Sequence, residues 1–211
     1  MKILFVTATN TNVGKTYTTV KLVEEFSKQG IMVGVCKPIE TGVTSEPMDA
    51  KLLLESVQRF NPNFHDLTPK DITAYTFPLP ASPYSADLNR VIKIESIIEK
   101  IEELEALCDL LIVEGAGGLM VPITSSYKMI DLAEELKATT LLVTPSRLGC
   151  INDTLLSIEA LKSREISFDW CVNLHEDRES FTEVTQPFYD EFFSDWWSVE
   201  DGLERFVERL R

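Results

Sequence analysis

No apolar run in this 211-residue chain reaches the ~20 consecutive residues that a helix needs to cross a bilayer, so no membrane span is expected. Cysteine is sparse. Cys36, Cys108, Cys150 and Cys171 lie far apart without metal-ligand spacing, which argues against a zinc framework and for reduced thiols in a cytoplasmic protein. Positive charge is also short: 20 Lys and Arg stand against 34 Asp and Glu, a net charge of -14. That balance opposes binding to a polyphosphate surface, so no nucleic-acid partner is expected. A small anion stays compatible, because local backbone dipoles can outweigh global charge. The chain opens directly on strand-like Ile3-Leu4-Phe5-Val6 with no signal pattern before it, which again predicts a cytoplasmic location. The length suits one domain with a single core, spanning residues 1–211.

What is present is a regular alternation of apolar runs and amphipathic stretches. Residues 2–7 read as a buried strand. Residues 15–29 have helical spacing, with Val20, Val23 and Phe26 on one side and Gly30 as the stop. Further strands are predicted at 31–36, 72–77, 110–113, 140–144 and 168–172. Helices are predicted at 49–60, 94–107, 129–136 and 151–163. Pro78-Leu79-Pro80-Ala81-Ser82-Pro83 is too proline-rich for a helix or a central strand. From about Ser180 the chain is acidic, aromatic and helical in character. Strands alternating with helices predict an α/β fold: a mostly parallel, P-loop NTPase-like sheet flanked by helices, in a single domain. Ligands in such sheets sit at the carboxyl ends of the strands.

The first strand runs into Ala8-Thr9-Asn10-Thr11-Asn12-Val13-Gly14-Lys15-Thr16 and then a helix. Gly-Lys-Thr between strand and helix is a phosphate loop. Its backbone N–H groups point at phosphates, Lys15 adds a mobile cation and the Thr16 hydroxyl can ligate Mg2+. Thr9 stands where the stricter pattern has glycine.

Mg2+ prefers oxygen ligands and keeps several waters, so one or two carboxylates should lie nearby. Glu114 closes the strand at 110–113 and leads into Gly115-Ala116-Gly117-Gly118, read as a loop that lets backbone approach a ligand. It is either a metal-side acid or a strand-end carboxylate facing solvent. Asp49 starts a helix and is either a second metal ligand or a plain N-cap. Lys37 follows the run at 31–36 and is either a holder of developing negative charge or a surface lysine. Leu148-Gly149-Cys150-Ile151-Asn152-Asp153 opens a helix whose free N–H groups either bind a carboxylate or are capped by Asn152 or Asp153.

Taken together, the pattern resembles the dethiobiotin synthetase family. The matching pieces are the loop from Thr9 to Thr16, Lys37-Pro38-Ile39-Glu40-Thr41-Gly42, Met48-Asp49-Ala50, Ala81-Ser82-Pro83, Val113-Glu114-Gly115-Ala116-Gly117-Gly118 and Leu148-Gly149-Cys150-Ile151-Asn152. The resemblance implies an ATP-dependent cyclo-ligase that closes a ureido ring on 7,8-diaminopelargonate with CO2 or bicarbonate. It passes through a carbamate and a carbamic–phosphoric anhydride. Lys15 and Lys37 would be catalytic, and Thr16, Asp49 and Glu114 would hold Mg2+. The nucleotide would meet Asn12, Val13, Gly14, Lys15, Thr16 and Tyr17 of the loop, then Asp49, Glu114, Gly115, Ala116, Gly117 and Asn173. The substrate would meet Thr11, Lys37, Thr41 (where the family usually has Ser) and Gly118. The resemblance also implies a homodimer, with the substrate carboxylate held by the other subunit's Gly149, Cys150, Ile151 and Asn152. Ala8 stands where the family's loop usually starts with glycine, and Asn12 where it carries an acid. Leu174 follows Asn173 where the family has an acid that reads adenine. ATP is therefore the expected co-substrate, with GTP and CTP also usable.

Other readings are a relative of the cobyrinic acid diamide synthases, a switch-type partitioning or metal-delivery ATPase, and a non-enzymatic nucleotide-binding module. The first usually carries a glutaminase domain, for which 211 residues leave no room. The second commonly has an extra lysine early in the phosphate loop, and residues 9–13 contain none. The third does not explain Lys37 or the Gly-Cys-Ile-Asn helix start. Phe188, Phe192, Phe193, Trp196 and Trp197 read as a C-terminal helix packing on the sheet or a dimer interface, and Tyr189 is left open as a substrate contact.

Overall fold

The computed structural model describes residues 2–175 and 177–210. The first apolar segment becomes the middle of the sheet. β1 (Ile3–Ala8) pairs in parallel with β5 (Leu110–Gly118) on one side and β6 (Thr139–Pro145) on the other. β2 (Val33–Cys36) lies outside β5; β7 (Phe168–Asn173) and β8 (Trp197–Ser198) lie outside β6. The order is β2-β5-β1-β6-β7-β8, with every pairing parallel. Such strands are covered on both faces, which is why they read as unbroken apolar runs.

Successive side chains on a strand point to opposite faces, and two apolar clusters show it. Leu141, Val143 and Cys171 join the larger cluster, with β1, β2 and the helices α1 (Lys15–Lys28), α2 (Met48–Gln58), α4 (Ile94–Glu105) and α9 (Leu203–Arg209). Leu142, Trp170 and Val172 join the other, with α6 (Cys150–Ser163) and the aromatic C-terminal segment. α5 (Met129–Glu135) contributes Met129 to the first and Ile130 to the second. α1 ends as its sequence demands. Gly30 adopts φ 81°, its N–H reaches Ser27 O at 3.0 Å, and Ile31 N–H reaches Phe26 O at 3.2 Å, a Schellman stop.

A separate parallel pair, β3 (Ile39–Thr41) and β4 (Tyr75–Phe77), stands beside the main sheet. α3 (Pro83–Ala86) is one turn, capped by Ser82 and begun by the last proline of the proline-rich segment, a position where the ring costs no hydrogen bond. The C-terminal part comprises α7 (Arg178–Ser180), a π-helical turn Phe181–Thr185 and α8 (Gln186–Phe192).

Several features depart from the sequence expectation: β3 was not predicted, and the strand expected at 72–77 covers only Tyr75–Phe77. β5 does not end at residue 113 but runs on through Gly118, because Ala8 still pairs with Gly118 beyond a register shift. β8, two residues inside an acidic aromatic stretch, was not predicted. The aromatic residues pack against the sheet: Trp170 meets Tyr189 edge-on at 5.2 Å and Phe193 at 5.0 Å. Tyr189 is fully buried there, its hydroxyl 3.1 Å from Thr154 Oγ1, and it does not line the cleft described below. Among the described residues no helix is long and apolar enough to cross a membrane.

Candidate active site

Three neighbouring strands deliver the chemistry: β1 leads into the phosphate loop and β2 into Lys37 at their carboxyl ends, and β5 carries Glu114 midway along its length. Beyond β1, Thr9 N–H donates to Val143 O at 3.1 Å and ties the loop's root to β6. Asn12 (φ 60°) and Gly14 (φ 98°) are left-handed, and such turns gather backbone N–H groups around one anion position. The loop is held from below by Asn173 at the end of β7, whose Nδ2 donates to Val13 O at 3.0 Å.

Lys15, on the first turn of α1, is buried and donates to Asn10 O at 3.2 Å. Burial, together with the nearby Lys37 charge, pushes its pKa down to about 8. Glu114 is 0% exposed, so it is not a solvent-facing carboxylate. Its Oε1 accepts from Thr16 Oγ1 at 2.8 Å and Lys37 Nζ at 2.6 Å, and its Oε2 from Thr19 Oγ1 at 2.8 Å. Nor is Lys37 a surface lysine: it is 3% exposed, and Nζ also donates to Asp49 Oδ2 at 2.8 Å. Burial works against its charge, but the Glu114 and Asp49 carboxylates outweigh that and raise its pKa. Asp49 is the mirror case. Its partial burial pushes the carboxyl up, and Lys37, Lys15 and the Thr16 hydroxyl together hold it below the usual range. Asp49 does not cap α2: Pro47 occupies the cap position and the Asp49 side chain turns to Lys37.

Lys15, Thr16, Lys37 and Asp49 border a cleft of about 540 Å³, while Glu114 is buried behind them and reaches it only through Thr16 and Lys37. Thr11, Asn12, Gly14, Lys15, Thr16 and Tyr17 line it from the phosphate loop and α1. Lys37, Thr41 and Asp49 line it from the β2–α2 region, and Ala116 and Gly117 from β5. Other expected site residues lie elsewhere. Val13 turns into the core and Asn173 is buried beside it. Gly115 faces Phe5 and Met129. Gly118 borders a different hollow of about 380 Å³, shared with Thr9, Met120 and Leu156. Gly149, Cys150, Ile151 and Asn152 open α6 outside the cleft. Neither Asn152 nor Asp153 caps that helix. Gly149 is its cap at φ 91°, and Asp153 pairs instead with Arg147 at 3.2 Å. The Cys150 thiol is buried beside the Tyr189 hydroxyl.

Sequence reasoning assigned no role to Glu40, whose carboxylate accepts from Asp49 N–H and Ala50 N–H at 3.0 and 2.9 Å. It also missed Thr19, one helical turn from Lys15 on the buried face of α1. Ile39, Glu40, Ala81, Ser82, Pro83 and Val121 complete the cleft wall. Among the described residues no cluster of three or more His, Cys, Asp or Glu side chains forms a ready-made metal cage. Thr16, Asp49 and Glu114 nevertheless offer only oxygen, as suits a hard cation that takes its remaining ligands from phosphate and water. The Lys37 ammonium between the two carboxylates shows that they accommodate positive charge.

Residues 2–172 match a family of AAA domains. The ATP-dependent dethiobiotin synthetase of Sulfurovum sp. (strain NBC37-1) is 62% identical over 210 residues, covering 100% of both chains. That of Wolinella succinogenes is 38% identical over 213 residues, covering 100% of this chain and 98% of its own. Among solved structures, the MinD cell division protein of Aquifex aeolicus aligns with TM-score 0.53 at 19% identity, covering 99% of this chain and 87% of that one. A plasmid partition protein from Borrelia burgdorferi aligns with TM-score 0.58 at 10% identity, covering 99% and 98%. The structural likenesses speak to the fold alone, the parallel sheet of the P-loop NTPases. The sequence likeness runs the full length, and the chain belongs to the ATP-dependent dethiobiotin synthetase family.

Proposed function

We propose that this chain closes the ureido ring of dethiobiotin from 7,8-diaminopelargonate and CO2, with ATP as phosphoryl donor, in the cleft between the phosphate loop and Thr41. The observation that carries this reading is the pair of buried cations, Lys15 and Lys37, set against Asp49 of α2 and Glu114 of β5. One amine of the diamine takes up CO2 and loses a proton, giving a carbamate. A carbamate oxygen attacks the γ-phosphorus and ADP leaves. The second amine attacks the carbonyl of the resulting anhydride, loses its proton and expels phosphate. The protein's part is position and charge. Lys15 meets the β- and γ-phosphates. Lys37, rigidly held, faces the charge that develops between carbamate and phosphoryl oxygens.

Thr16, Asp49 and Glu114 would hold Mg2+, which supplies charge neutralisation at the phosphate oxygens. Thr11 and Thr41 would face the diamine. The nucleotide would lie along the loop, Ala116 and Gly117 toward Asn173. Exposed Met120 and Leu156 beside one hollow support a homodimer. In it the start of α6, from Gly149 to Asn152, which has no side-chain cap, would take the substrate carboxylate of the other subunit. Four unpaired cysteines support a reducing, cytoplasmic location.

The test is phosphate release from Mg–ATP with and without 7,8-diaminopelargonate and bicarbonate. Release that requires the diamine, and disappears in Lys37→Ala, is the expected result. Release indifferent to the diamine would overturn the reading.

A further inference from the structure

We propose that Glu40 is the residue that positions Asp49, by capping helix α2 from a different element. The inference rests on the metal role given to Asp49 above and adds the device that places it.

A helix leaves its first N–H groups without partners, and a side chain at the cap position normally accepts from the second or third of them. In α2 the cap position is Pro47, which has no acceptor in its side chain. The second and third residues are Asp49 and Ala50, and their N–H groups are bound by Oε1 and Oε2 of Glu40 at 3.0 and 2.9 Å. The residues that lead into α2 supply no side-chain cap of their own, and 44–46 are exposed. Glu40, by contrast, is 7% exposed and sits on β3, opposite Thr76 of β4. That pair is fastened at both ends: Pro38 O accepts from Ala74 and Tyr75 N–H, each at 3.0 Å, and Val43 N–H reaches Phe77 O at 2.9 Å.

Asp49 is thereby held at two points. Its backbone N–H is tied to Glu40 and its carboxylate to Lys37 at 2.8 Å. The first tie fixes where the Cα stands; the second fixes where the oxygens point. Without Glu40, the polar atoms of Asp49 are tied to the site only through the carboxylate that the metal is meant to use. Burial raises the Glu40 pKa, and the Ala50 and Asp49 N–H groups work against that rise, as expected of a carboxylate engaged at a helix start.

The experiment is calorimetric titration of a non-hydrolysable ATP analogue into the full chain, once with Mg2+ and once with EDTA. In Glu40→Ala the affinity gained from Mg2+ falls about tenfold, the loss expected for one cap. The affinity in EDTA stays at the wild-type level, and the Asp49 and Ala50 amides exchange faster. Glu40→Gln, which keeps the size and one acceptor, gives a smaller loss and serves if the alanine variant folds poorly. Pro47→Ser in the Glu40→Ala background supplies a local cap and recovers most of the Mg2+ gain.

A wild-type Mg2+ gain in Glu40→Ala, with that gain lost in Asp49→Asn, overturns this inference alone. An equal fall with and without Mg2+, or no recovery on adding Pro47→Ser, also overturns it and makes Glu40 a ligand contact. A wild-type Mg2+ gain in Asp49→Asn removes the metal reading of Asp49, and this inference with it.

Discussion

The side-chain amide of Asn173 fills the space that a Cβ on Gly14 would need: a methyl there would lie 1.9 Å from Asn173 Nδ2. Two residues far apart in the chain are thus matched, one by having no side chain and the other by reaching beneath it to Val13 O. Gly14→Ala meets both this clash and a φ of 98°. The expected outcome is a loss of about 1–3 kcal/mol in stability and of nucleotide binding, read by denaturant unfolding and nucleotide calorimetry.

Lys37 and Glu114 are a buried ion pair, with side chains 3% and 0% exposed. Such a pair is weak evidence for net stabilisation, yet removing one partner strands the other charge. Lys37→Ala therefore costs about 3–5 kcal/mol in urea unfolding at neutral pH, besides its effect on turnover. Replacing Lys37 and Glu114 together by Met and Gln recovers most of that stability but none of the activity.

Lys15 titrates near 8 when folded, against 10.5 for the ordinary side chain, so between those values the unfolded chain binds a proton that the folded chain does not. Stability must then rise with pH across that window as far as Lys15 is concerned. Lys37, whose pKa is raised, contributes stability that persists through the same window. Lys15→Met is expected to stabilise the ligand-free protein at pH 7 and to flatten its stability between pH 8 and 10.5, checked by unfolding curves at several pH values. Because phosphate restores the lysine charge, nucleotide binding above pH 8 takes up a proton. Titrations in buffers of different ionisation enthalpy measure that uptake.

Asn173 spends its amide nitrogen on Val13, and its Oδ1 is buried without a hydrogen-bond partner. With Leu174 next in the chain, little remains there to read a base. Hydrogen-bonded readout separates substrates by ~10⁴ or more, and without it GTP and CTP should support turnover within about tenfold of ATP. A large preference for ATP would overturn this.

Tyr189 donates to or accepts from Thr154 in the second apolar cluster. Tyr189→Phe should cost about 1 kcal/mol in stability, read by denaturant unfolding, since it loses the buried bond to Thr154 and the weaker contact to Cys150 Sγ.

Much of this architecture is legible in the residues. The buried strands announce themselves as unbroken apolar runs, and Gly14-Lys15-Thr16 between strand and helix marks the phosphate loop. What could not be read is what depends on a distant partner. Glycine-rich 115–118 looks like a loop because it lacks side chains, yet Ala8 draws Gly118 into a strand pairing. Asp49 looks like a helix cap until Lys37 is seen to claim it and Glu40 to replace it. The one local hint was negative: Pro47 at a helix start has no cap of its own. β8 is too short to show any periodicity, and its two residues pair only because Cys171 and Val172 lie alongside.

The order β2-β5-β1 has a consequence for the growing chain. The first two strands to be synthesised are not neighbours, since the strand that separates them begins only at Leu110. Until it arrives, the lysines at 15 and 37 belong to two unjoined pieces, and neither has Glu114 as a counter-charge. During synthesis the phosphate loop emerges early but gains its acidic neighbour late, so the half-made protein has the signature of a nucleotide site without the site itself. The same closure pairs Ile3 with Leu111, and non-local pairing of that kind slows folding.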